Sequence, residues 1–261
     1  MSSYSAYKGT GFDQLDPFDS SDSNLWRKAE YLGRYLFAAD FLRSRSIRLA
    51  ADISCGLGYG SIELATASEE VVGIDGSPEM IERAMTGCQE PNIRFNCLNL
   101  EEDDLCRHIR EGSCGAVVSF ETLEHLNDPG RAVDQFSRIL MPEGFFICSV
   151  PNVISESGDD AGLPKNRSHK QWFNFPSLCR MVERCGMRVI YRLGQSRSRR
   201  LFRREQQLFN ARRIRRRLSD ETVMHSEEMI RWLSYVAAYP SVEDVDGSYS
   251  IIIVAQKQGS D

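Results

Sequence analysis

A short glycine-rich stretch is where residue types and spacing first suggest chemistry. In Asp52-Ile-Ser-Cys-Gly-Leu-Gly-Tyr-Gly, an apolar run over residues 48–54 leads into Gly56, Gly58 and Gly60, and a helical pattern over 61–67 follows. Glycines let the chain turn sharply and bring bare main chain and helix N–H groups against a ligand. A second apolar run, 70–75, ends in Asp75, 19 residues after Gly56. A carboxylate at such a strand tip can accept both hydroxyls of an adenosine ribose. The pattern points to a nucleoside-type ligand. The bland alternative is a glycine turn that binds nothing, for which the matching acid has no use.

Two nucleoside readings compete. The nicotinamide fingerprint is G-x-G-x-x-G, with a helix N-terminus facing a pyrophosphate. This chain has G-x-G-x-G, with Asp52 near the end of the first strand. An acid there is unhelpful beside a pyrophosphate but compatible with a cationic or zwitterionic ligand. That favours S-adenosylmethionine, a sulfonium with an amino acid tail, and no catalytic donor for a nicotinamide reaction is found.

The elements that must position these residues follow from periodicity. Residues 1–23, rich in Ser, Asp and Gly, read as a mobile arm. From Asn24, apolar residues at Leu25, Trp26, Ala29, Leu32, Leu36, Phe37 and Phe41 repeat with a helical period. Strands are predicted over 48–54, 70–75, 92–97, 115–120, 144–150, 187–193 and 249–255. The helices between them cover 61–67, 100–110, 128–140 and 176–185, with one opening at Ser77-Pro78-Glu79, where Ser caps and Pro fits the first turn. Alternating strands and helices imply βαβ units. The expected fold is a doubly wound, seven-stranded, mostly parallel sheet with an antiparallel last strand and helices on both faces. Residues 24–261 are expected to form a single domain with a basic helical insertion at 195–240.

Composition narrows the class. The chain has 261 residues, 41% hydrophobic and 26% charged, which excludes disorder throughout and fibrous repeats. No apolar run approaches the roughly 20 residues of a membrane helix, and the N-terminus lacks an apolar signal core. Eight cysteines without a C-x-x-C pair fit free thiols in a reducing compartment, so a cytoplasmic protein is expected. The four histidines, 108, 125, 169 and 225, show no paired spacing, and no metal site is expected from them.

The segments DISCGLGYGS, VVGIDGSPEMIERA and VVSFETLEHLNDPGRAVDQFSRILMPEGFFICSVPN, with the closing strand, resemble the class I S-adenosylmethionine-dependent methyltransferases. The resemblance covers about residues 30–195 and 248–257, and its five segments occur in the family's order. RYLFAADF, Asn166 to His169 and Gly194-Gln195 resemble a subgroup associated with glycans and small molecules. The resemblance implies S-adenosylmethionine as cofactor. It places Ser54, Gly56, Gly58 and Gly60 against the methionine part, with Asp52 holding the turn and orienting the amino group. It gives Asp75 the ribose hydroxyls, sets Gly76 and Ser77 beside the adenine, and brings Asn99 and Leu100 to the adenine; many relatives have Asp where Asn99 stands. Phe120 and Glu121 would face the methyl donor, and Arg34 or Tyr35 would cap the methionine carboxylate, although a solvated helix face explains Arg34 equally well.

Methyl transfer to a hydroxyl needs positioning and a place for the hydroxyl's proton. The fourth strand ends in Phe-Glu-Thr-Leu-Glu-His, not in the Asn/Asp-Pro-Pro-aromatic turn of enzymes that methylate base or amide nitrogens. His125 and His169 are the candidate catalytic bases, though each has a structural alternative. Trp172, Phe173 and Phe175 would form a substrate wall or, equally, a hydrophobic plug. Between residues 192 and 217 lie eleven arginines and one acid, a net +10 against −15 elsewhere. That segment reads as a solvated insertion, a clamp for a phosphorylated acceptor, or an RNA-binding surface; no aromatic stacking module accompanies it. The expected partner is a small-molecule or glycan acceptor, possibly phosphorylated, with nucleic acid disfavoured and oligomeric state open. A methyltransferase acting on RNA or protein, and a non-catalytic binder, are the alternatives.

Overall fold

The structure, a computed structural model, describes residues 16–19, 24–154, 166, 168–195, 226–242 and 245–259. Most of the N-terminal arm and the arginine-rich stretch from 196 onward lie outside the described residues. The elements are α1 Leu25–Ser44, β1 Leu49–Ile53, α2 Tyr59–Ala65, β2 Glu70–Asp75, α3 Pro78–Gly87, β3 Ile93–Cys97, β4 Cys114–Phe120, α4 Pro129–Ile139, β5 Leu140–Pro151, α5 Phe175–Arg184, β6 Met187–Gln195, α6 Glu227–Ala237 and β7 Ser250–Lys257. Seven strands form one sheet in the order β3-β2-β1-β4-β5-β7-β6. β7 runs antiparallel to both of its neighbours, β5 and β6, and the other described strand pairs are parallel, as the sequence pattern predicts. No helix among the described residues is long and apolar enough to cross a membrane.

Neighbouring residues on each strand serve opposite faces. Ala51, Val72 and Val117 pack with Phe136 and Ile139 of α4 on one face. Ala50, Val71, Ala116 and Val118 pack with Ala38, Phe41 and Leu42 of α1 and Leu64 of α2 on the other. Burial on both faces explains why these strands read as continuous apolar runs. The helix starts are as local chemistry requires. Ser77 Oγ accepts from Met80 N, Asp128 Oδ1 accepts from Arg131 N at 3.0 Å, and Asn174 forms a capping box with Ser177.

The helix expected over 100–110 does not form; only a single 3₁₀ turn, Leu105–Arg107, appears. Side chains compete with helical bonding there. Asp103 accepts from Asn99 N, Asn99 accepts from Glu101 N and Asp104 accepts from Cys106 N. The Arg131 guanidinium gathers the carbonyls of Leu100, Glu101 and Asp103. Binding these carbonyls and amides to side chains leaves them unavailable to a helix.

Candidate functional site

All parallel strands end on the same edge of the sheet. β1 connects to β2 on one side while β4 lies on its other side, which is the switch point where open α/β sheets leave a crevice. A cavity of about 850 Å³ opens there, within the roughly 300–1,000 Å³ usual for small-molecule sites. Its walls are the loops after β1, β2, β3 and β4, one face of α1, and the segment 166–170.

The turn after β1 is held in the left-handed region at Ser54 (φ 63°), Gly56 (φ 53°) and Gly58 (φ 80°). The three glycines have different neighbours. A Cβ on Gly56 would meet nothing within 4 Å, and Gly56 lines the cavity. A Cβ on Gly58 would lie 2.9 Å from the Phe95 ring, and one on Gly60 would lie 2.1 Å from the Tyr35 ring. Neither Gly58 nor Gly60 lines the cavity. Their lack of a side chain makes room for protein atoms, so of the three expected ligand glycines only Gly56 faces the open space.

Asp52 departs in the same way from its expected place. It is fully buried and absent from the cavity wall. Its carboxylate accepts from Tyr35 OH at 3.0 Å and from Ser61 Oγ at 2.6 Å, and burial pushes its pKa up to about 7. Asp52 ties α1 and α2 to the first strand, and Tyr35 stands beside it. It is not placed to orient an amino group in the cavity.

Asp75 does reach the cavity. Its Oδ2 accepts from Gly56 N and its Oδ1 from Ser77 N, both at 2.9 Å. Burial raises its pKa while these N–H donors pull it back. One carboxylate thus stitches together the turns after β1 and β2. With the Gly76 amide as a further donor, the carboxylate still keeps lone-pair capacity for a ligand hydroxyl. Ser54, Gly76, Ser77, Asn99, Leu100 and Phe120 line the same cavity. The Asn99 side-chain oxygen is engaged by Glu101 N at 3.0 Å.

At the other end of the cavity, Arg34 is buried. Its guanidinium donates to Glu121 Oε1 at 2.6 Å and to Ser149 Oγ at 3.1 Å, and lies 4.6 Å from the Tyr31 ring centroid. Glu121 sits at φ 50°, a left-handed conformation costing roughly 1–2 kcal/mol in a residue with a Cβ. Its amide donates to Ser149 O, and Ser149 Oγ donates to its carboxylate at 2.7 Å. Arg34 is therefore no solvated helix residue. Tyr35 borders the cavity with its ring but directs its hydroxyl to Asp52.

His125 and His169, 44 residues apart in sequence, meet with ring centroids 5.0 Å apart beside Glu124. His125 Nδ1 lies 3.0 Å from Ser168 O, and Asn166 Nδ2 lies 2.8 Å from His169 Nε2. All five residues line the cavity. The fold thus supplies a proximity that sequence distance hides. Phe173 and Phe175 are instead buried in the core, as the hydrophobic plug that was the alternative to a substrate wall.

Sequence reasoning also passed over Arg27, Glu30 and Tyr31, which line the cavity together with Arg34. Their spacing at i, i+3, i+4 and i+7 marks a single helix face, and it was the available signal. Gln195 helps place that helix, donating from Nε2 to the carbonyls of Glu30 and Ala238 at 2.6 Å each.

Comparison with known proteins agrees with this geometry. The methyltransferase domain family matches residues 51–148. A probable S-adenosylmethionine-dependent methyltransferase of Mycolicibacterium smegmatis is 32% identical over 144 residues, covering 55% of this chain and 53% of that protein, so the chain spans about half of that relative's length. A ubiquinone biosynthesis O-methyltransferase of Xanthomonas axonopodis pv. citri is 27% identical over 209 residues, 72% of this chain and 87% of that protein. An S-adenosylmethionine dependent methyltransferase from Mesorhizobium loti shares the fold with a TM-score of 0.55 at 16% identity, covering 90% of this chain and all of that one. Residues 51–148 thus match the methyltransferase domain family, and the glycine turn, strand-tip acid and sheet order are similar to those of S-adenosylmethionine-dependent methyltransferases.

Proposed function

We propose that the protein methylates a hydroxyl group of a small-molecule or glycan acceptor. The observation that carries this reading is a single cavity with a nucleoside-binding end at Gly56 and Asp75 and an imidazole pair at its other wall. The open space over Gly56 and the remaining lone-pair capacity of Asp75 fit the adenosyl cofactor. When bound, that cofactor supplies a methyl group on a positively charged sulfur.

The chain's own residues do the rest. Asp75 and the Gly56 main chain hold the ribose end, with Ser77, Asn99 and Leu100 beside the base. Arg34 offers its guanidinium to the amino acid carboxylate, sharing it with Glu121. Most of the rate enhancement comes from holding the reactants in line, worth about 7–11 kcal/mol. The Glu124–His125–His169 group gives the acceptor hydroxyl a basic environment in which to shed its proton. The O-methyltransferase name of the Xanthomonas relative supports the choice of oxygen. Arg27 and Lys170 at the cavity wall make phosphorylated acceptors the first to screen. Residues from 24 onward are read as one methyltransferase domain, and the eight unpaired cysteines support a reducing cytoplasmic setting.

Calorimetric titration with S-adenosylmethionine and S-adenosylhomocysteine, with NADH as control, tests the cofactor end. Asp75→Ala removes charge-assisted bonds worth about 1.5–3 kcal/mol, an affinity loss of roughly 10- to 150-fold. An unchanged dissociation constant would place the site elsewhere.

A further inference from the structure

We propose that Ser149 is a positioning residue of the cofactor site, holding Glu121 and Arg34 in the arrangement that presents one guanidinium edge to the amino acid carboxylate. The proposal rests on the adenosyl-cofactor reading and deepens it. Ser149 lies outside the cavity wall and acts through the two residues that line it.

Ser149 sits within the sheet, on β5, beside Phe120 of β4 and Ile252 of β7, and is fully buried. A hydroxyl there costs desolvation unless it is bonded. Its Oγ donates to Glu121 Oε1 at 2.7 Å and accepts from Arg34 Nη1 at 3.1 Å. Nη1 also donates to the same Oε1, at 2.6 Å. The three atoms close a triangle in which every proton has an acceptor. Burial alone does not build such a triangle: Ser119, equally buried on β4, has a hydroxyl with no partner among the described residues.

The triangle fixes Glu121 from both ends. Its backbone is left-handed at φ 50°, a conformation that a residue with a side chain keeps only when its surroundings over-determine it. Ser149 supplies one restraint at each end. Its carbonyl takes the Glu121 amide at 3.0 Å, and its hydroxyl holds the carboxylate. Residues held in this way cluster where ligands are clamped, and Glu121 lines the cavity with Arg34.

The same bonds decide which part of Arg34 a ligand meets. A guanidinium carries five N–H donors in a rigid plane. Nε donates to the Glu30 carbonyl at 3.3 Å, and the two protons of Nη1 go to Glu121 and Ser149. Among the described residues nothing accepts from Nη2, so its two donors are the ones left for a carboxylate. Without the Ser149 hydroxyl, one Nη1 proton would lose its acceptor and Glu121 one of its restraints. The pair would then turn, and the amino acid tail would lose its seat. Holding that tail fixes the direction of the methyl–sulfur bond, which an in-line transfer requires.

The test is calorimetry on the full-length chain and its S149A, E121Q and double variants. The ligands are S-adenosylhomocysteine, which carries the amino acid tail, and methylthioadenosine, which lacks it. S149A should bind S-adenosylhomocysteine about 3- to 10-fold more weakly, and methylthioadenosine within about twofold of the parent. A serine with only a structural role would weaken both ligands alike. Because Ser149 acts through Glu121, adding S149A to E121Q should cost less than about twofold further in S-adenosylhomocysteine affinity. That comparison needs only the tailed ligand, so it decides independently of methylthioadenosine. Equal losses for the two ligands, an unchanged affinity in S149A, or additive effects of the two substitutions overturn the proposal. A parent chain that binds neither ligand sinks the adenosyl-cofactor reading itself. A parent that binds S-adenosylhomocysteine while S149A fails in these ways sinks only the positioning role.

Discussion

Gly60→Ala is the most discriminating substitution, because ligand and packing readings of the glycine turn predict different results. Gly60 lies within α2, where alanine normally gains about 1 kcal/mol over glycine. Here the new methyl would sit 2.1 Å from the Tyr35 ring, well inside ordinary contact, with two further ring atoms at 2.2 and 2.5 Å. The ring cannot swing aside cheaply. Its hydroxyl is bonded to buried Asp52, and its faces meet Tyr59 and Phe120 with centroids 5.3 and 4.9 Å away. Overpacking of this kind costs about 1–3 kcal/mol, and so close an approach belongs at the upper end. After the helix gain, a net loss of about 2 kcal/mol is expected, or a melting temperature lower by about 4–8 °C. Urea and thermal denaturation measure the stability, and calorimetry with S-adenosylhomocysteine measures the affinity. Gly56→Ala is the contrast, since its methyl meets no atom but must occupy a left-handed conformation beside the cavity. It should lose affinity out of proportion to stability. A Gly60→Ala protein of parental stability that fails to bind the ligand would refute the packing argument.

Asp52 makes stability depend on pH in a defined direction. Its folded-state pKa of about 7 lies above the unfolded value near 3.9, so between these the folded chain holds a proton that the unfolded chain releases. Stability contributed by this group is full below about pH 4, declines as pH rises toward 7, and levels off above; Asp52→Asn should flatten the decline in denaturation midpoints between pH 5 and 7, and an unaltered slope would assign it to other groups. Arg231 of α6 makes a two-pronged ion pair with Glu63 of α2, at 2.6 and 3.0 Å. Removing it in Arg231→Ala strands a carboxylate that is 7% exposed. A loss of about 1–2 kcal/mol by urea denaturation is expected, allowing for solvent screening at the partly exposed arginine; a loss below 0.5 kcal/mol by that assay would show the pair to be decorative.

The sequence by itself determined the strands, most helix starts and the sheet class, because these follow from short-range rules. Period-two burial on two covered faces makes apolar runs, and Ser77-Pro78, Asp128-Pro129 and Asn174 cap helices using atoms three residues away. Asp75 was legible for a similar reason, since its distance from Gly56 reflects one strand–helix–strand unit. Tertiary structure decided which residues face the ligand. Gly58 and Gly60 look like Gly56 in sequence, but the rings of Phe95 and Tyr35, brought from β3 and α1, occupy the space beside them. Asp52 looks like a ligand residue until α1 closes over it with Tyr35. The run 100–110 loses its helix to the guanidinium of Arg131, about 30 residues away. The meeting of His125 with His169, and the burial of Arg34 against Glu121, join segments 44 and 87 residues apart. Such contacts are set by how helices and loops pack on the sheet, and local spacing carries no trace of them.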